Sequence, residues 1–146
     1  MSKLVETKRA YDKIADLLDQ EIRRRSGNVK DLEQFREALQ VAFYLLGWAQ
    51  FEYLVRQQVK ELLEEKVRAK SVEVHAWHYL QENVKGLSVR KRLDLIFHSD
   101  PKTRDSLDKD YELRNEAVHN YKHLPAGARD ISKWLEALEQ LVDGFP

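Results

Sequence analysis

The sequence predicts an all-α protein, a compact up-and-down helical bundle of about five to six helices in which the first two are long. The 146 residues include only five glycines and three prolines, so few positions break a helix. Charged residues make up 34% of the chain, and apolar residues recur three and four positions apart, which is the spacing of amphipathic helices. Runs that alternate apolar and polar residues, as a half-buried strand does, are few.

Length and cysteine content limit the class of protein. A chain of this length fits a single domain, residues 1–146, and can bury a core without covalent links. The absence of cysteine removes disulfide frameworks, thiolate metal sites and cysteine nucleophiles. Met1 to Glu6 lack the apolar core of a signal peptide, and no apolar run reaches membrane-spanning length. We therefore expect a cytoplasmic protein with no membrane partner.

Charge is balanced, with 25 lysines and arginines against 25 aspartates and glutamates. This balance argues against a protein that coats nucleic acid without specificity. Two basic clusters stand out, Arg23 to Arg25 and Arg90 to Arg92. We interpret the first as cations favoured by a helix end and the second as a solvated face, with contact to a phosphate backbone as the alternative for both.

The first helix is predicted from about Ser2 to Arg25, and Ser26, Gly27 and Asn28 end it. The second begins at a capping box, Asp31-Leu32-Glu33-Gln34, and runs to about Lys70. Its middle is apolar around much of the circumference, which predicts a central core helix. Gly47 is expected either to kink this helix or to admit another helix closely. Tyr44 and Trp48 fit either a core or a dimer contact.

Three shorter segments and a closing helix follow. A short helix is predicted over residues 71–80, ending between Asn83 and Gly86, and another over residues 88–97. Asp100 and Pro101 give an N-cap and a first-turn proline for the next helix, which should end near Leu124. Asp130 caps the last helix. His75, His78 and Glu82 have spacings compatible with a metal site, but no further ligand is apparent, and no metal or cofactor is predicted.

The segment Tyr111 to Tyr121 combines an arginine, an asparagine and a histidine on the penultimate helix. At about 100° per residue, Asn115 and His119 share a face, while Arg114 lies about 140° from His119. The helical wheel predicts an apolar arc with Arg114 inside it. The arc consists of Leu113, Ala117, Tyr121 and Leu124 and is widened on one side by Leu107, Tyr111 and Val118. A guanidinium on an apolar surface needs a carboxylate, a neighbouring subunit or an anionic ligand.

These residue types suit one chemistry in particular. A glycine-rich phosphate loop, a nucleophile elbow, an H-E-x-x-H motif and an EF-hand spacing are all missing from the sequence. Imidazole can take or give a proton near neutral pH, and a guanidinium can stabilise charge on phosphate oxygens. Together they are sufficient for metal-independent phosphodiester cleavage if the substrate supplies its own nucleophile, as RNA does with its 2′-hydroxyl.

Arg114 to Tyr121 resembles the R-x4-H-x-Y signature of HEPN domains, small all-α proteins of toxin–antitoxin, abortive-infection and CRISPR-associated ribonucleases. The resemblance extends to the long first helices and the late motif, and so covers the whole chain. It implies a homodimer with one composite site, in which His119 is the general base, Arg114 stabilises the phosphorane and Asn115 holds the phosphate or His119. Products would be a 2′,3′-cyclic phosphate and a 5′-hydroxyl.

The resemblance also assigns a role to Tyr121, which matches a tyrosine that a nucleotidyltransferase-type antitoxin can modify with adenylate. Core packing is the alternative for Tyr121, because the wheel places it beside Leu113 and Ala117. The motif as a whole has two alternatives. In the first, a buried Arg114 pairs with an acidic residue of another helix and His119 bonds to a backbone carbonyl. In the second, a HEPN-like dimer binds nucleotide or RNA, or serves as an adaptor, without turnover.

Overall fold

A computed structural model describes residues 3–25, 28–120 and 124–145. Within these ranges the regular structure is entirely helical, which confirms the predicted fold class and the two long first helices. The α-helices are α1 (Lys3–Arg24), α2 (Val29–Arg68), α3 (Val74–Glu82), α4 (Val89–Ile96), α5 (Pro101–Asn120) and α6 (Ile131–Asp143). Short 3-10 helices at Val84–Gly86 and Ala126–Ala128 precede α4 and α6.

The start of α2 corrects the predicted capping box. The side chain of Asn28 accepts hydrogen bonds from the backbone N–H groups of Lys30 (3.1 Å) and Asp31 (3.4 Å), so Asn28 is the N-cap. Asp31 lies inside the first turn instead. A carboxylate there still stabilises the helix, because the first turn carries a partial positive charge.

Three more helices begin at a side-chain cap, and two of these caps, Asp100 and Asp130, were predicted. Ser88 Oγ accepts from the backbone N–H of Lys91 at 3.3 Å and starts α4. Asp100 accepts from both the backbone N–H (3.2 Å) and the hydroxyl (2.6 Å) of Thr103, immediately before Pro101. Asp130 accepts from the backbone N–H of Lys133 at 3.1 Å and starts α6. Each cap satisfies a backbone donor that the first helical turn leaves unpaired.

The two long helices both end near a residue with left-handed backbone geometry. Arg25 has a φ of 51° and follows α1, while Lys70 has a φ of 48° and follows α2. Left-handed geometry reverses the chain after a helix and is usually supplied by glycine. Here the two positions carry long cations, which the negative end of the helix dipole favours. Arg23 and Arg24 lie in the last turn of α1, as the interpretation of that basic cluster requires.

The chain divides into two compact units, with boundaries inside α2 and α5. The first unit contains residues 1–51 and 114–143. Its core joins α1, the first half of α2 and α6 through Leu4, Tyr11, Ala15, Tyr44, Trp48, Phe51, Ala128, Ile131, Leu135 and Leu138. Tyr44 and Trp48 are therefore core residues of one chain.

Gly47 lets α6 approach α2 closely, as one of its two predicted roles required. A Cβ atom at this position would lie 2.6 Å from Cζ3 of Trp134 and 2.8 Å from Cδ2 of Leu135. The indole of Trp134 packs on Tyr44, with ring centroids 4.7 Å apart, and on Trp48, at 6.0 Å. The absence of a side chain at Gly47 thus leaves room for the Trp134 ring to pack against α2.

The second unit contains residues 52–113 and 144–146. Its core consists of aliphatic side chains and one phenylalanine, namely Val55, Val59, Leu63, Val89, Leu93, Ile96, Phe97 and Leu107. Leu93, Ile96 and Phe97 are buried as predicted. Arg104 of α5 forms an ion pair with Asp94 of α4, which adds a polar link between these helices. Among the helices that the structure describes, none has both the length and the apolar character that crossing a membrane would need.

Candidate functional site

The burial of side chains on the motif helix α5 agrees with part of the predicted arc. Leu107 is buried, and Tyr111, Arg114 and Val118, which the arc also contains, are each half-buried. Leu113 is 44% exposed, so its place in the apolar arc was wrong. Tyrosine and arginine can line a half-buried side because their apolar stems pack while their polar tips find partners. The Tyr111 hydroxyl does so by donating to Glu52 at 3.0 Å.

Arg114 and Asn115 form the polar pair of this site, and both lie in the first unit. Nη1 of Arg114 donates a 3.0 Å hydrogen bond to Oδ1 of Asn115, and both side chains are half-buried. The Nε atom of Arg114 is shielded from solvent. The amide oxygen of Asn115 accepts from the guanidinium, and its amide nitrogen is a hydrogen-bond donor. The pair presents hydrogen-bond donors next to a fixed positive charge, which suits an oxyanion.

His119 is exposed and lies one turn beyond Asn115. Its side chain makes no hydrogen bond within the ranges that the structure describes, so a carbonyl partner for the imidazole is not found there. Along the axis of an α-helix, Arg114 and His119 are separated by roughly 7.5 Å and by about 140° of rotation. The structure therefore joins Arg114 to Asn115 and leaves His119 apart. The predicted modification target, Tyr121, lies outside the described residues.

Two arginines of the basic cluster at residues 90–92 form internal contacts. The cluster is still partly solvated, since Lys91 is exposed and the Arg90 side chain is 38% exposed. Arg90 donates to Asp108 at 2.5 Å and to Glu112 at 3.4 Å, and Arg92 donates to the carbonyl of Val84 at 2.9 Å. The hydrogen bond from Arg90 holds the pKa of the Asp108 carboxyl below its usual value. These arginines hold α4 and the chain before it in place within the second unit. The sequence signal was available, since Asp108 and Glu112 are four residues apart on α5.

A groove of about 420 Å³ lies in the first unit, away from the motif residues. Its walls come from α1, α2 and the start of α6, namely Tyr11, Asp12, Ala15, Asp16, Asp19, Arg36, Gln40, Arg129, Asp130 and Ser132. Arg36 is already engaged there, with Asp19 at 3.1 Å and the Tyr11 hydroxyl at 2.8 Å. Within the described ranges, histidines and carboxylates nowhere gather in a group of three that could hold a metal ion.

We compared the chain with protein families, with curated proteins and with solved structures, and none of these comparisons gives a match.

Proposed function

We propose that the chain is a HEPN-type, metal-independent endoribonuclease that acts in the cytoplasm as a toxin or antiphage defence effector. The supporting observation is the pairing of Arg114 with Asn115 at 3.0 Å on a half-buried face, one turn before an exposed His119. In this arrangement the guanidinium of Arg114 and the amide of Asn115 can bind phosphate oxygens. The accessible imidazole of His119 can transfer a proton. RNA is the substrate class that brings its own nucleophile to such a site.

The proposed reaction is an intramolecular transesterification. The imidazole of His119 removes the proton from a 2′-hydroxyl, and the 2′-oxygen bonds to the adjacent phosphorus. The phosphorus–5′-oxygen bond then breaks, and the leaving oxygen takes a proton from water or from the imidazolium of a second copy. Arg114 and the amide of Asn115 stabilise the negative charge of the phosphorane. The products are a 2′,3′-cyclic phosphate and a 5′-hydroxyl.

A homodimer is part of the proposal, because Arg114 and His119 point apart on one helix. A two-fold axis beside the end of α5 would bring Arg114 of one copy near His119 of the other around a single phosphate. Regulation by a nucleotidyltransferase-type antitoxin, acting on Tyr121, belongs to the same proposal and rests on the HEPN resemblance.

The test is cleavage of a defined RNA in excess chelator, with analysis of the product ends. Wild-type protein should give cyclic-phosphate ends, and His119→Ala should lower the rate by about 10²–10⁴-fold because the general base is lost. The matched control is Glu116→Gln, an exposed residue on the same helix, which should cleave at the wild-type rate. Wild-type activity no greater than that of His119→Ala, or cleavage of an all-deoxy substrate, would refute the mechanism.

Complementation tests the composite site separately. Arg114→Ala and His119→Ala proteins should each be inactive alone, and a mixture of the two should recover part of the activity. Recovery is expected because a mixed dimer keeps one arginine and one histidine on opposite chains. Active wild-type protein with no recovery in the mixture would instead place both residues of each working site on one chain.

A non-catalytic HEPN-like dimer that binds nucleotide or RNA, or serves as an adaptor, is the second candidate. The observation that favours it is the equal number of basic and acidic residues, 25 of each, which provides no broad positive surface for RNA. Under this alternative, Arg114→Ala would weaken binding of an RNA oligonucleotide, and wild-type protein would leave that oligonucleotide uncut.

A further inference from the structure

Arg92 is a half-buried cation of the second unit, and its side chain is fixed in place. Nη2 donates to the carbonyl oxygen of Val84 at 2.9 Å, which holds the guanidinium beside the 3-10 helix that precedes α4. The Nε atom is shielded from solvent and has no hydrogen-bond partner. Arg90 and Arg104 of the same unit each donate to an aspartate. Within the described residues, Arg92 has no such ion pair.

A second cation, Arg56, lies near Arg92. Arg56 follows the buried Val55 on α2, and Arg92 precedes the buried Leu93 on α4, so both arginines adjoin the core of the second unit. Burial and then the positive charge of Arg56 lower the pKa of the Arg92 guanidinium, and a like charge has this effect only when it is close. Two neighbouring cations repel each other, so an anion bound between them is favourable.

The carboxylates closest in sequence to these two arginines have other partners. Glu52 lies one turn before Arg56 on α2 and accepts a hydrogen bond from the Tyr111 hydroxyl at 3.0 Å. Asp94 lies two residues after Arg92 and forms an ion pair with a different arginine. In the part of the chain that the structure describes, Arg56 and Arg92 are joined to no acidic side chain. The opposite charge must therefore come from outside these residues.

We propose that Arg56 and Arg92 form a binding site for a doubly charged phosphate group, carried by a small phosphomonoester or present as inorganic phosphate. Nη1 of Arg92 makes no hydrogen bond within the described ranges and, unlike Nε, is open to solvent. Arg56 is exposed. Each guanidinium can therefore turn a pair of N–H donors towards the same anion.

The number of charges and acceptor atoms selects phosphate over a carboxylate. A phosphomonoester carries a charge of about −1.5 to −2 near neutral pH and has three strongly accepting oxygens. It therefore balances two guanidiniums and can accept hydrogen bonds from both. A carboxylate carries one charge and its two oxygens are satisfied by one guanidinium. A phosphodiester also carries only one charge, so the backbone of a nucleic acid matches this pair less well.

This site shares no residue with the proposed cleavage site. Arg56 and Arg92 belong to the second unit, while Arg114, Asn115 and His119 belong to the first. The ligand also differs, because the cleavage reaction acts on a phosphodiester. Phosphate binding by the second unit is therefore a property that the nuclease proposal neither requires nor predicts.

The first test is a phosphate titration at constant ionic strength, followed by NMR at the arginine Nε–H groups. Shielding of Nε should slow proton exchange with water and make the Arg92 signal visible, and Arg92→Lys assigns that signal by its loss. Phosphate should shift the signal saturably, and Arg56→Gln should raise the Kd about tenfold or more, because a charged donor is lost. Lys91→Gln, an equal change of charge at the exposed neighbour of Arg92, should alter the Kd less than about threefold.

The second test compares three ligands in the same titration. Methyl phosphate and inorganic phosphate should both bind, and the tighter of the two identifies the source of the phosphate group. Dimethyl phosphate, which has a single charge, should bind about tenfold more weakly or worse. Equal binding of dimethyl phosphate would refute a site for a doubly charged group. No saturable shift with any phosphate, or equal weakening by Arg56→Gln and Lys91→Gln, would overturn the site.

Thermal unfolding separates this site from the motif residues. Phosphate should raise the Tm of wild-type protein and of Arg114→Ala, but not of Arg56→Gln, because a ligand stabilises only a protein that binds it. Circular dichroism checks that each variant is folded. A Tm rise that Arg114→Ala abolishes and Arg56→Gln retains would assign the phosphate to the motif and overturn the inference. These measurements contain no RNA, so the cleavage proposal stands or falls by its own assay.

Discussion

Gly47→Ala tests the packing of α2 against α6 in the first unit. Alanine is a better helix former than glycine by about 1 kcal/mol, so helix propensity alone predicts a more stable protein. The added methyl group would meet two atoms of Trp134, at 2.6 and 2.9 Å, and one of Leu135, at 2.8 Å. The indole cannot easily move away, because Tyr44 and Trp48 pack against it.

The size of the effect follows from the two opposing contributions. Overpacking a well-filled core costs about 1–3 kcal/mol, and a ring held by two aromatic neighbours places Gly47→Ala near the upper end. Subtracting the gain of about 1 kcal/mol in helix propensity leaves a net loss of about 2 kcal/mol in the free energy of unfolding. For a chain of this size, such a loss lowers Tm by roughly 4–8 °C.

The assay is chemical and thermal unfolding followed by circular dichroism. Gly127→Ala serves as the control, because a Cβ atom there meets nothing within 4 Å, and its stability should stay within about 0.5 kcal/mol of wild type. Adding Trp134→Leu to Gly47→Ala should cost less than the sum of the two single changes, since removal of the indole frees the space. A Gly47→Ala protein as stable as wild type would refute the steric reasoning.

Three further predictions concern the second unit. Hydrogen bonds from the Thr103 hydroxyl and N–H lower the pKa of Asp100, so its stabilisation is present above the ordinary aspartate pKa and is lost as pH falls through the folded value. Asp100→Ala should therefore lower Tm at neutral pH, and the difference from wild type should close in acid. Arg90→Gln should raise the pKa of Asp108 towards its usual value in an NMR titration, and an unchanged pKa would contradict the role of that hydrogen bond. Ser88→Ala should cost about 1 kcal/mol in urea unfolding, while Ser88→Asp should restore most of the loss.

Local chemistry explains which parts of the fold the sequence predicts well. Asp100 and Asp130 cap helices through their own side chains, so their identity and position suffice. The start of α2 was misplaced because Asn28 and Asp31 are both good capping residues three positions apart. Which one caps depends on the path of the chain after Arg25, and that path is not encoded in the capping pattern.

The sequence-based predictions that failed concern features that depend on tertiary contacts. The wheel for α5 placed Leu113 in the apolar arc, but Leu113 is 44% exposed, while Tyr111 and Val118 of the same arc are half-buried. The largely apolar circumference of α2 predicted a central core helix. In the structure, Phe35 and Leu46 on one side of this helix are exposed. For the candidate site, the pattern identified Arg114, Asn115 and His119. Whether they converge stays a prediction, because it depends on a second copy of the chain.

The distribution of tryptophan gives each unit its own optical reporter. Trp48 and Trp134 lie in the first unit with ring centroids 6.0 Å apart, while Trp77 lies in the second unit with the Lys66 ammonium 5.5 Å from its ring centre. A Trp77→Phe protein emits from the first unit alone, and a protein with phenylalanine at Trp48 and Trp134 emits from the second alone. Coincident fluorescence unfolding curves would mean that the whole chain unfolds in one cooperative transition, and separate curves would give each unit its own stability.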